Sequence, residues 1–153
     1  MQVRSYISCF VVRPAGGSHE FLQLRRVPEK YMGGTWQLVS GGIEEGETAW
    51  QAALRELKEE ASLVPNEFYQ LDVVNTFYLA AADSIMHAPM FCALVDPDAA
   101  VQINAEHTDW RWVPRDEMES KVMWPGERVG LAELCREILD NGPAKQYLKI
   151  PLT

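Results

Sequence analysis

A chain of 153 residues suits about one globular domain, and we expect a single domain over residues 1–153. Apolar residues make up 47% and charged residues 24%, a composition that supports a packed core and argues against global disorder. The net charge of −8 at pH 7 argues against binding of a nucleic-acid polymer, because phosphate backbones bind positive surfaces, but it allows a small phosphorylated ligand whose contacts are mediated by metal ions.

The three cysteines, Cys9, Cys92 and Cys135, are odd in number and widely scattered. This spacing argues against a disulfide framework and against a zinc knuckle. The first 17 residues contain a short apolar run interrupted by arginines, which is typical of a strand rather than of a cleavable signal. No stretch approaches roughly 18 unbroken apolar residues, so we expect no membrane span and a cytoplasmic protein.

The N-terminal part of the chain predicts a hairpin and a short strand. Residues 3–12 are rich in β-branched and aromatic side chains, residues 20–26 alternate apolar and polar, and residues 13–19 form a turn cluster between them. After a glycine-containing break at residues 31–34, a third strand is predicted over residues 35–39. Strands therefore precede the first helix.

The first helix is predicted to begin near Thr48 and to end by Val64. Thr48 and Gln51 have the capping-box spacing, in which both side chains accept hydrogen bonds from free backbone N–H groups. Pro65 cannot continue a helix and restricts the residue before it, so the helix ends there.

The second half of the chain again predicts mostly strands. Residues 68–81 and 88–95 are predicted strands around a turn near residues 83–84. Residues 96–100 are a predicted loop, and residues 108–113 are a further strand with alternating bulk.

The last helix is predicted over residues 127–140, and the "NGP" at residues 141–143 ends it. Because strands outnumber helices in this mixed order, we predict an α+β fold or an α/β/α sandwich. The apolar stripe of the last helix comprises Leu131, Leu134, Cys135, Ile138 and Leu139.

The first helix carries an acidic cluster. Glu56, Glu59 and Glu60 lie three or four residues apart, where like charges destabilise one another unless something offsets them. On a wheel of about 100° per residue, Glu56 and Glu60 fall on either side of Ala49 and away from the solvent face. The predicted buried arc comprises Trp50, Ala53, Leu54, Leu57 and Ala61.

Two interpretations of this cluster stay open. A solvated acidic face predicts the carboxylates opposite the core, whereas hard oxygen ligands from adjacent turns suit Mg²⁺ or Mn²⁺. The preceding segment, residues 40–47, contains three glycines, which allow close backbone approach to a ligand. An ordinary strand-to-helix turn would explain those glycines equally well.

Gly41, Glu47 and the segment "RELKEEASL" at residues 55–63 follow the Nudix signature: Gly, five residues, Glu, seven residues, then Arg-Glu-apolar-any-Glu-Glu-any-Gly-apolar. The chain therefore resembles the Nudix hydrolase family. Every defined position matches except the last glycine, which is Ser62 here. Glycine readily takes the left-handed conformation at a helix end, and serine there costs up to about 1 kcal/mol. We expect a shifted helix end and retained chemistry.

The resemblance implies an α+β fold, the Nudix-type α/β/α sandwich with a mixed β-sheet. It also implies Mg²⁺-dependent hydrolysis, with Mn²⁺ as an alternative ion, of a nucleoside diphosphate linked to a further group X. The partner would be a small phosphorylated substrate, and the protein a monomer or a homodimer. The segment "WQLVSGGIEEGET" at residues 36–48 is similar to the branch that converts dATP or dihydroneopterin triphosphate to a monophosphate and pyrophosphate.

Two alternative functions remain at this point. One is hydrolysis of dinucleoside polyphosphates or ADP-sugars. The other is a non-catalytic Nudix-fold domain that binds nucleotides, against which the complete set of acidic motif positions counts.

The same resemblance assigns the site residues. The metal ligands would be Glu56, Glu59, Glu60 and the backbone carbonyl around Ser40. Glu59 and Glu106 are rivals for the base that orients the attacking water, because a base is identified by its reach to that water. The catalytic set therefore comprises Glu56, Glu59, Glu60 and Glu106.

The remaining motif residues, Gly41, Glu47 and Arg55, would form the scaffold. The family pairs Arg55 with Glu47 to hold the loop against the helix, and a local pair of Arg55 with Glu59 is the alternative that helical spacing allows.

Four further residues are candidates for binding the substrate. Arg25 and Arg26 at the end of the second strand would contact phosphates or be ordinary surface charges. Trp36 or Tyr78 would stack on a base or a pterin, or be core or rim aromatics. The histidines show no metal-ligand spacing, and we expect all three to be structural or exposed: His19, His87 and His107.

Overall fold

A computed structural model of the protein describes residues 1–152. Its strands are β1 (Gln2–Ala15), β2 (Ser18–Arg26), β3 (Trp36–Gln37), β4 (Val39–Gly42), β5 (Glu67–Leu79), β6 (Ser84–Leu94), β7 (His107–Pro114) and β8 (Lys149–Ile150). Its helices are α1 (Ala49–Ala61), α2 (Arg115–Lys121), α3 (Pro125–Glu133) and α4 (Lys145–Leu148), with a 3₁₀ turn at Ala80–Ala82 and a π-helical segment at Leu134–Leu139.

The strands form one mixed sheet in the order β3-β2-β1-β6-β5-β8, with β4 added to β1 and β7 added to β2. Strands β1 and β6 run parallel, and the other pairings are antiparallel. The long strand β1 shares one edge between two partners: its end pairs with β2, and its middle, from Tyr6 to Cys9, pairs with β4. This arrangement places the glycine-containing end of β4 within the sheet, with Gly41 opposite Ile7 and Gly42 opposite Tyr6.

Helices cover both faces of the sheet. Side chains alternate along β1, so that successive residues of this strand belong to two different cores. Ile7 and Cys9 belong to one core cluster together with Leu57 of α1. Phe10 belongs to the other cluster, together with Leu131 of α3. The predicted α+β class and the α/β/α sandwich with a mixed sheet are therefore confirmed.

Helix α1 begins as the sequence predicts. Thr48 is the N-cap, its Oγ1 accepts from the Gln51 backbone N–H, and Gln51 Oε1 accepts from the Thr48 N–H. The helix ends at Ser62, which takes the left-handed conformation with φ 60° and ψ 33°. The expected shift of the helix end is wrong: serine adopts the glycine-like geometry itself, and its Oγ donates to the Gln102 carbonyl at 3.1 Å.

The wheel of α1 was partly wrong about which residues are buried. Leu57 is buried as predicted, but Trp50 is 37% exposed, while Glu56 and Glu60 are 9% and 2% exposed. The reason is that α1 packs against both β1 and β4, so that the helix edge bearing these two glutamates meets β4 rather than water. A solvated acidic face is therefore excluded for Glu56 and Glu60.

Several elements extend beyond their predicted bounds. The first hairpin turn is confined to Gly16 and Gly17, both with positive φ, so β1 and β2 are longer than expected. Strand β6 starts at Ser84 rather than at residue 88, and it includes Pro89. Pro89 lies opposite Val74, where a register irregularity in β5 ends. A proline is tolerated at such an irregularity.

The C-terminal part contains elements that the sequence patterns did not reveal. Helix α2 was not predicted, and the predicted last helix is built from α3 followed by the π-helical segment. Its apolar stripe is oriented as expected, with Leu131, Leu134 and Ile138 buried in the second core cluster. Within residues 1–152, no helix combines the length and the apolar character needed to cross a bilayer.

Candidate active site

Two buried carboxylates face each other at the junction of α1 with β4. Burial of the Glu60 side chain raises the pKa of its carboxyl, and the charge and hydrogen-bonding contact of Glu56 raise that pKa further. The charge of Glu106 acts in the same direction, while the backbone of Ser40 opposes it. Two acidic groups in one dry site are unfavourable unless a proton or a cation lies between them.

Gly41 allows this close approach of strand and helix. A Cβ atom on Gly41 would overlap the carboxyl group of Glu56, whereas a Cβ on Gly42 would meet nothing within 4 Å. The reason for glycine at position 41 is therefore contact with the acidic pair rather than an unusual backbone angle. The third glycine of the loop, Gly46, has a φ of 84° and serves the turn itself.

Arg55 ties the loop to the helix. Its Nη2 donates to Glu47 Oε1 at 2.7 Å, and its Nη1 donates to Glu59 Oε2 at 3.3 Å. The two pairs that the sequence left as alternatives are thus present together. Arg55 Nη1 also donates to Glu56 Oε1 at 2.9 Å, and Nη2 donates to the Gly42 carbonyl at 2.9 Å. Through its hydrogen bonds to Glu47, Arg55 holds the pKa of that carboxyl below its usual value.

Glu59 and Glu106 are placed differently from the buried pair. Their side chains are 52% and 44% exposed, and each has a basic neighbour: Arg55 for Glu59, and Lys30 Nζ at 3.9 Å for Glu106. Across residues 1–152, no three Asp, Glu, His or Cys side chains converge as a ready-made metal site. Only Glu56 and Glu60 of the predicted acidic ligands are buried together.

His107 is a neighbour of the pair that the sequence analysis treated as structural or exposed. Its side chain is 2% exposed, and its Nε2 lies 3.9 Å from Glu60 Oε1. Its Nδ1 is buried without a hydrogen-bond partner in the described part of the chain. Burial lowers the pKa of His107, so the ring is neutral near pH 7 and does not offset the charge of Glu60. No local spacing links positions 60 and 107, which is why the pattern did not reveal this contact.

An aromatic cavity of about 370 Å³ adjoins the acidic pair. Ser40 connects the two, because it lines the cavity and its backbone also acts on Glu60. Arg26, Trp36 and Tyr78 of the predicted substrate-binding residues line this cavity. Arg25 does not; its Nε donates to the Gly34 carbonyl at 3.2 Å. The remaining lining includes Tyr6, Phe77, Met86, Trp124 and Glu127.

Trp36, one wall of the cavity, is held in place by Arg111. The guanidinium carbon of Arg111 lies 4.1 Å from the centre of the Trp36 ring, a cation–π contact. Arg111 in turn donates two hydrogen bonds to Gln23 Oε1, at 2.9 and 2.7 Å. Its position therefore depends on β2 and β7 together.

A second cavity of about 570 Å³ is larger but lies elsewhere. It is open and is lined by His19, Arg115 and Cys135, on the side of the first hairpin turn and α2. None of the acidic motif residues lines it. We therefore assign the candidate active site to the aromatic cavity and the acidic pair.

The NUDIX domain family matches residues 3–134. The chain belongs to the Nudix hydrolase family. It is 40% identical over 110 residues to an octanoyltransferase of Myxococcus xanthus, in an alignment that spans 70% of this chain and only 30% of that protein. It is 30% identical over 103 residues to a bis(5'-nucleosyl)-tetraphosphatase [asymmetrical] of Caenorhabditis elegans, covering 67% of this chain and 72% of the relative.

It is also 30% identical over 119 residues to the dihydroneopterin triphosphate diphosphatase of Escherichia coli strain K12, covering 70% of this chain and 77% of the relative. Among solved structures, a C. elegans Ap4A hydrolase binary complex aligns with a TM-score of 0.74 at 23% identity, over 90% of this chain and 98% of that one. The predicted Nudix hydrolase is thereby confirmed, and with it the Nudix fold. Nudix hydrolases generally need a divalent metal ion, typically Mg²⁺.

The residues of this site fit such an ion. Hard divalent cations prefer oxygen ligands such as carboxylates, and Glu56 and Glu60 supply two of them side by side. Arg55 reaches Glu56 but makes no contact with Glu60 among the described hydrogen bonds and ion pairs. Glu60 is thus a nearly fully buried acid whose nearest basic group is a neutral imidazole, and a bound cation would offset its cost of burial.

Proposed function

We propose that this protein is a Mg²⁺-dependent pyrophosphohydrolase, with Mn²⁺ as an alternative ion. Its substrate would be a (deoxy)nucleoside triphosphate or dihydroneopterin triphosphate, hydrolysed to the monophosphate and pyrophosphate. The supporting observation is the buried pair of Glu56 and Glu60, which adjoins an aromatic cavity through Ser40. One part of the site suits metal and phosphate, and the other suits a heterocycle.

Glu56, Glu60 and the Ser40 carbonyl would hold the metal ion. When bound, such an ion neutralises charge on the phosphates and lowers the pKa of a coordinated water. The surrounding protein side chains exclude bulk water from Glu56 and Glu60 and keep the two carboxylates next to each other. Arg55 contributes by fixing Glu56 and the loop end at Glu47.

The base that orients the attacking water would be Glu59 or Glu106. Both are partly exposed, so either is open to a water molecule at the mouth of the site. The charge of Glu106 contributes to the raised pKa of Glu60, which supports a position near the pair. Glu59 is held by Arg55 and would have to leave that contact to reach water over Glu60.

Hydrolysis of a dinucleoside polyphosphate is the second candidate. It is favoured by the similarity to the C. elegans bis(5'-nucleosyl)-tetraphosphatase and by the exposed aromatic side chains at the cavity rim, Tyr31 and Trp124. An ADP-sugar is a third substrate class that the same fold accommodates. The cytoplasmic location, the single domain over residues 1–153 and the monomeric or dimeric state stay predictions from the sequence.

The decisive experiment separates and quantifies the reaction products by chromatography, with Mg²⁺, over four substrate types: deoxynucleoside triphosphates, dihydroneopterin triphosphate, dinucleoside tetraphosphates and ADP-ribose. Glu56→Gln and Glu60→Gln are each expected to lower turnover by at least about tenfold, since metal stabilisation supplies several kcal/mol. Glu45→Gln is the matched control, because Glu45 is an exposed residue of the same loop. Wild-type turnover in both site variants, with the fold intact, would refute the proposal.

The pH profile separates the rival bases. Raising the pH supplies hydroxide and partly rescues a variant that lacks the base, but not one that lacks a metal ligand. We therefore expect one of Glu59→Gln and Glu106→Gln to recover turnover at high pH, while Glu60→Gln does not recover. Recovery of neither variant would show that neither carboxylate is the base.

A further inference from the structure

The aromatic cavity contains one acidic side chain that neither the signature nor the metal site uses. Glu127 lies in the first turn of α3 and lines the cavity. The helix start is pressed against β5 at this point, because a Cβ on Gly126 would overlap the Oδ1 atom of the buried Asn75. This contact holds the start of α3, and with it Glu127, close to β5.

Glu127 is partly buried, and it has no hydrogen-bond or ion-pair partner within residues 1–152. No hydrogen bond or cation offsets its loss of water, and burial alone raises the pKa of its carboxyl to about 7. Its polar neighbour is Tyr6 of β1, whose own pKa is raised to about 12, first by burial and then by the charge of Glu127. A partly buried carboxyl without a partner loses hydration that nothing in the protein replaces, and such groups in clefts are typical of ligand contacts.

The other residues of the cavity indicate the kind of ligand that Glu127 would contact. Its walls are formed by Trp36, Phe77, Tyr78 and Trp124, and the volume of about 370 Å³ lies within the range of small-molecule sites. Flat aromatic walls favour a flat heterocycle by stacking. A carboxylate among them has two acceptor oxygens and no donor, so it pairs best with two adjacent N–H groups.

We propose that Glu127 determines specificity by accepting two hydrogen bonds from a 2-amino-4-oxo heterocycle, the ring edge that guanine and pterins share. This inference rests on the proposed function, since the triphosphate of the same ligand would reach the acidic pair past Ser40. The ring N–H and the exocyclic amino group of that edge are neighbouring donors. Adenine presents one donor and one acceptor there. Above the pKa of about 7 the Glu127 carboxylate is ionised and has no donor, so it leaves the acceptor nitrogen of the adenine ring unpaired.

The test compares the wild type with Glu127→Gln, which keeps the shape but replaces one acceptor by a donor. The measured quantities are kcat and KM for dGTP, dihydroneopterin triphosphate and dATP with Mg²⁺, at a pH above the pKa of Glu127, where its carboxyl is ionised. Glu127→Gln is expected to lower kcat/KM for the first two about 10- to 100-fold, mainly through KM, and to leave dATP unchanged or improved. The glutamine amide matches the donor and acceptor of adenine. Glu119→Gln, an exposed change on α2, is the control and is expected to leave all three values unchanged.

A conservative variant shows whether charge or folding is responsible. Glu127→Asp keeps the carboxylate but shortens it, so it should weaken all binding while preserving the preference for dGTP over dATP. Equal losses on all three substrates in Glu127→Gln, or no loss at all, would overturn the inference. Melting curves of each variant exclude unfolding as the cause.

A metal-free binding arm separates this inference from the proposed function. Calorimetric titration with dGMP and dAMP measures base selection without hydrolysis. If the wild type hydrolyses nothing but binds dGMP better than dAMP, and Glu127→Gln loses that difference, the inference stands while the proposed function fails. If hydrolysis is normal but the base preference of Glu127→Gln is unaltered, the inference fails alone.

Discussion

Two regions of this molecule remove acidic side chains from water, one almost fully and the other in part, and their surroundings are opposite. Glu56 and Glu60 lie together between α1 and β4, with Arg55 reaching one of them. Glu127 lies alone among aromatic residues, and burial alone raises its pKa. A pair of acids with nearby carbonyl oxygen suits a cation, whereas a single acid in an aromatic slot suits hydrogen-bond donors on a flat ligand. The number of acidic groups, their neighbours and their degree of burial together distinguish the two sites.

The largest expected effect comes from displacing the Glu56 side chain from its position beside Glu60. Gly41→Ala places a Cβ where the Glu56 carboxyl now lies, so the side chain must move. A displacement of about 1 Å at a catalytic group costs on the order of 100-fold in rate. We expect the turnover of Gly41→Ala to fall by at least about tenfold, measured by pyrophosphate release with Mg²⁺.

The neighbouring glycine provides the matched control. Gly42→Ala adds the same methyl group where nothing lies within 4 Å, and Gly42 does not have a positive φ. Its turnover should stay within about twofold of the wild type. A comparable loss in both variants would mean that loop backbone freedom, and not contact with Glu56, explains the glycine at position 41.

An intermediate effect is expected from removing the isolated acid of the cavity. The pKa of Glu127 is about 7 in the folded protein against an ordinary value of 4.5, so the unfolded chain releases this proton first as the pH rises. The stability that Glu127 contributes is therefore present below about pH 4.5 and is lost as the pH rises to about 7. Relative to Glu127→Gln, the wild type should lose about 1–3 kcal/mol of unfolding free energy over this range.

Urea unfolding in the presence of a chelator, at several pH values between pH 4.5 and pH 8, measures this difference. Using the difference between the two proteins removes the contribution of Glu60, whose pKa is also raised by burial, because Glu60 is present in both. A difference that does not change with pH would show that Glu127 is as well solvated in the folded protein as in the unfolded chain.

The smallest effect is expected at the end of α1, at a residue that belongs to neither carboxylate site. Ser62 has a left-handed backbone conformation, with φ 60°, which is unfavourable for a residue with a side chain. Its hydroxyl, however, donates a hydrogen bond to the Gln102 carbonyl. Ser62→Gly should therefore raise the unfolding free energy by no more than about 1 kcal/mol and leave turnover unchanged. Thermal unfolding checks the first expectation. A loss of stability would mean that the hydrogen bond outweighs the strain.

Local sequence signals predicted the local parts of this protein well. The capping box of Thr48 and Gln51 and the end of α1 before Pro65 depend on neighbouring residues, and the structure has both. The spacing of Glu56 and Glu60 predicted their displacement from the solvent face, although Trp50 lies closer to solvent than the wheel implied. Helix α2 and the π-helical segment carried no comparable local signal.

Contacts between distant segments escaped the sequence patterns. His107 lies against Glu60, and Glu127 shares its cavity with Tyr6, although no spacing relates these positions. Such neighbours arise from strand order, which joins β1 to β4 and β6, and from the packing of α3 on β5. A single sequence contains no periodicity that reports this kind of contact.

The sequence by itself determined the family, the first helix and the identity of the acidic residues, because a motif within 23 residues is a local pattern of spacing. The tertiary structure alone decided which carboxylates are buried, which remain at the surface, and where the aromatic cavity meets them. Burial is set by how long segments pack against one another, and a side chain takes its chemical character from that environment as much as from its own atoms.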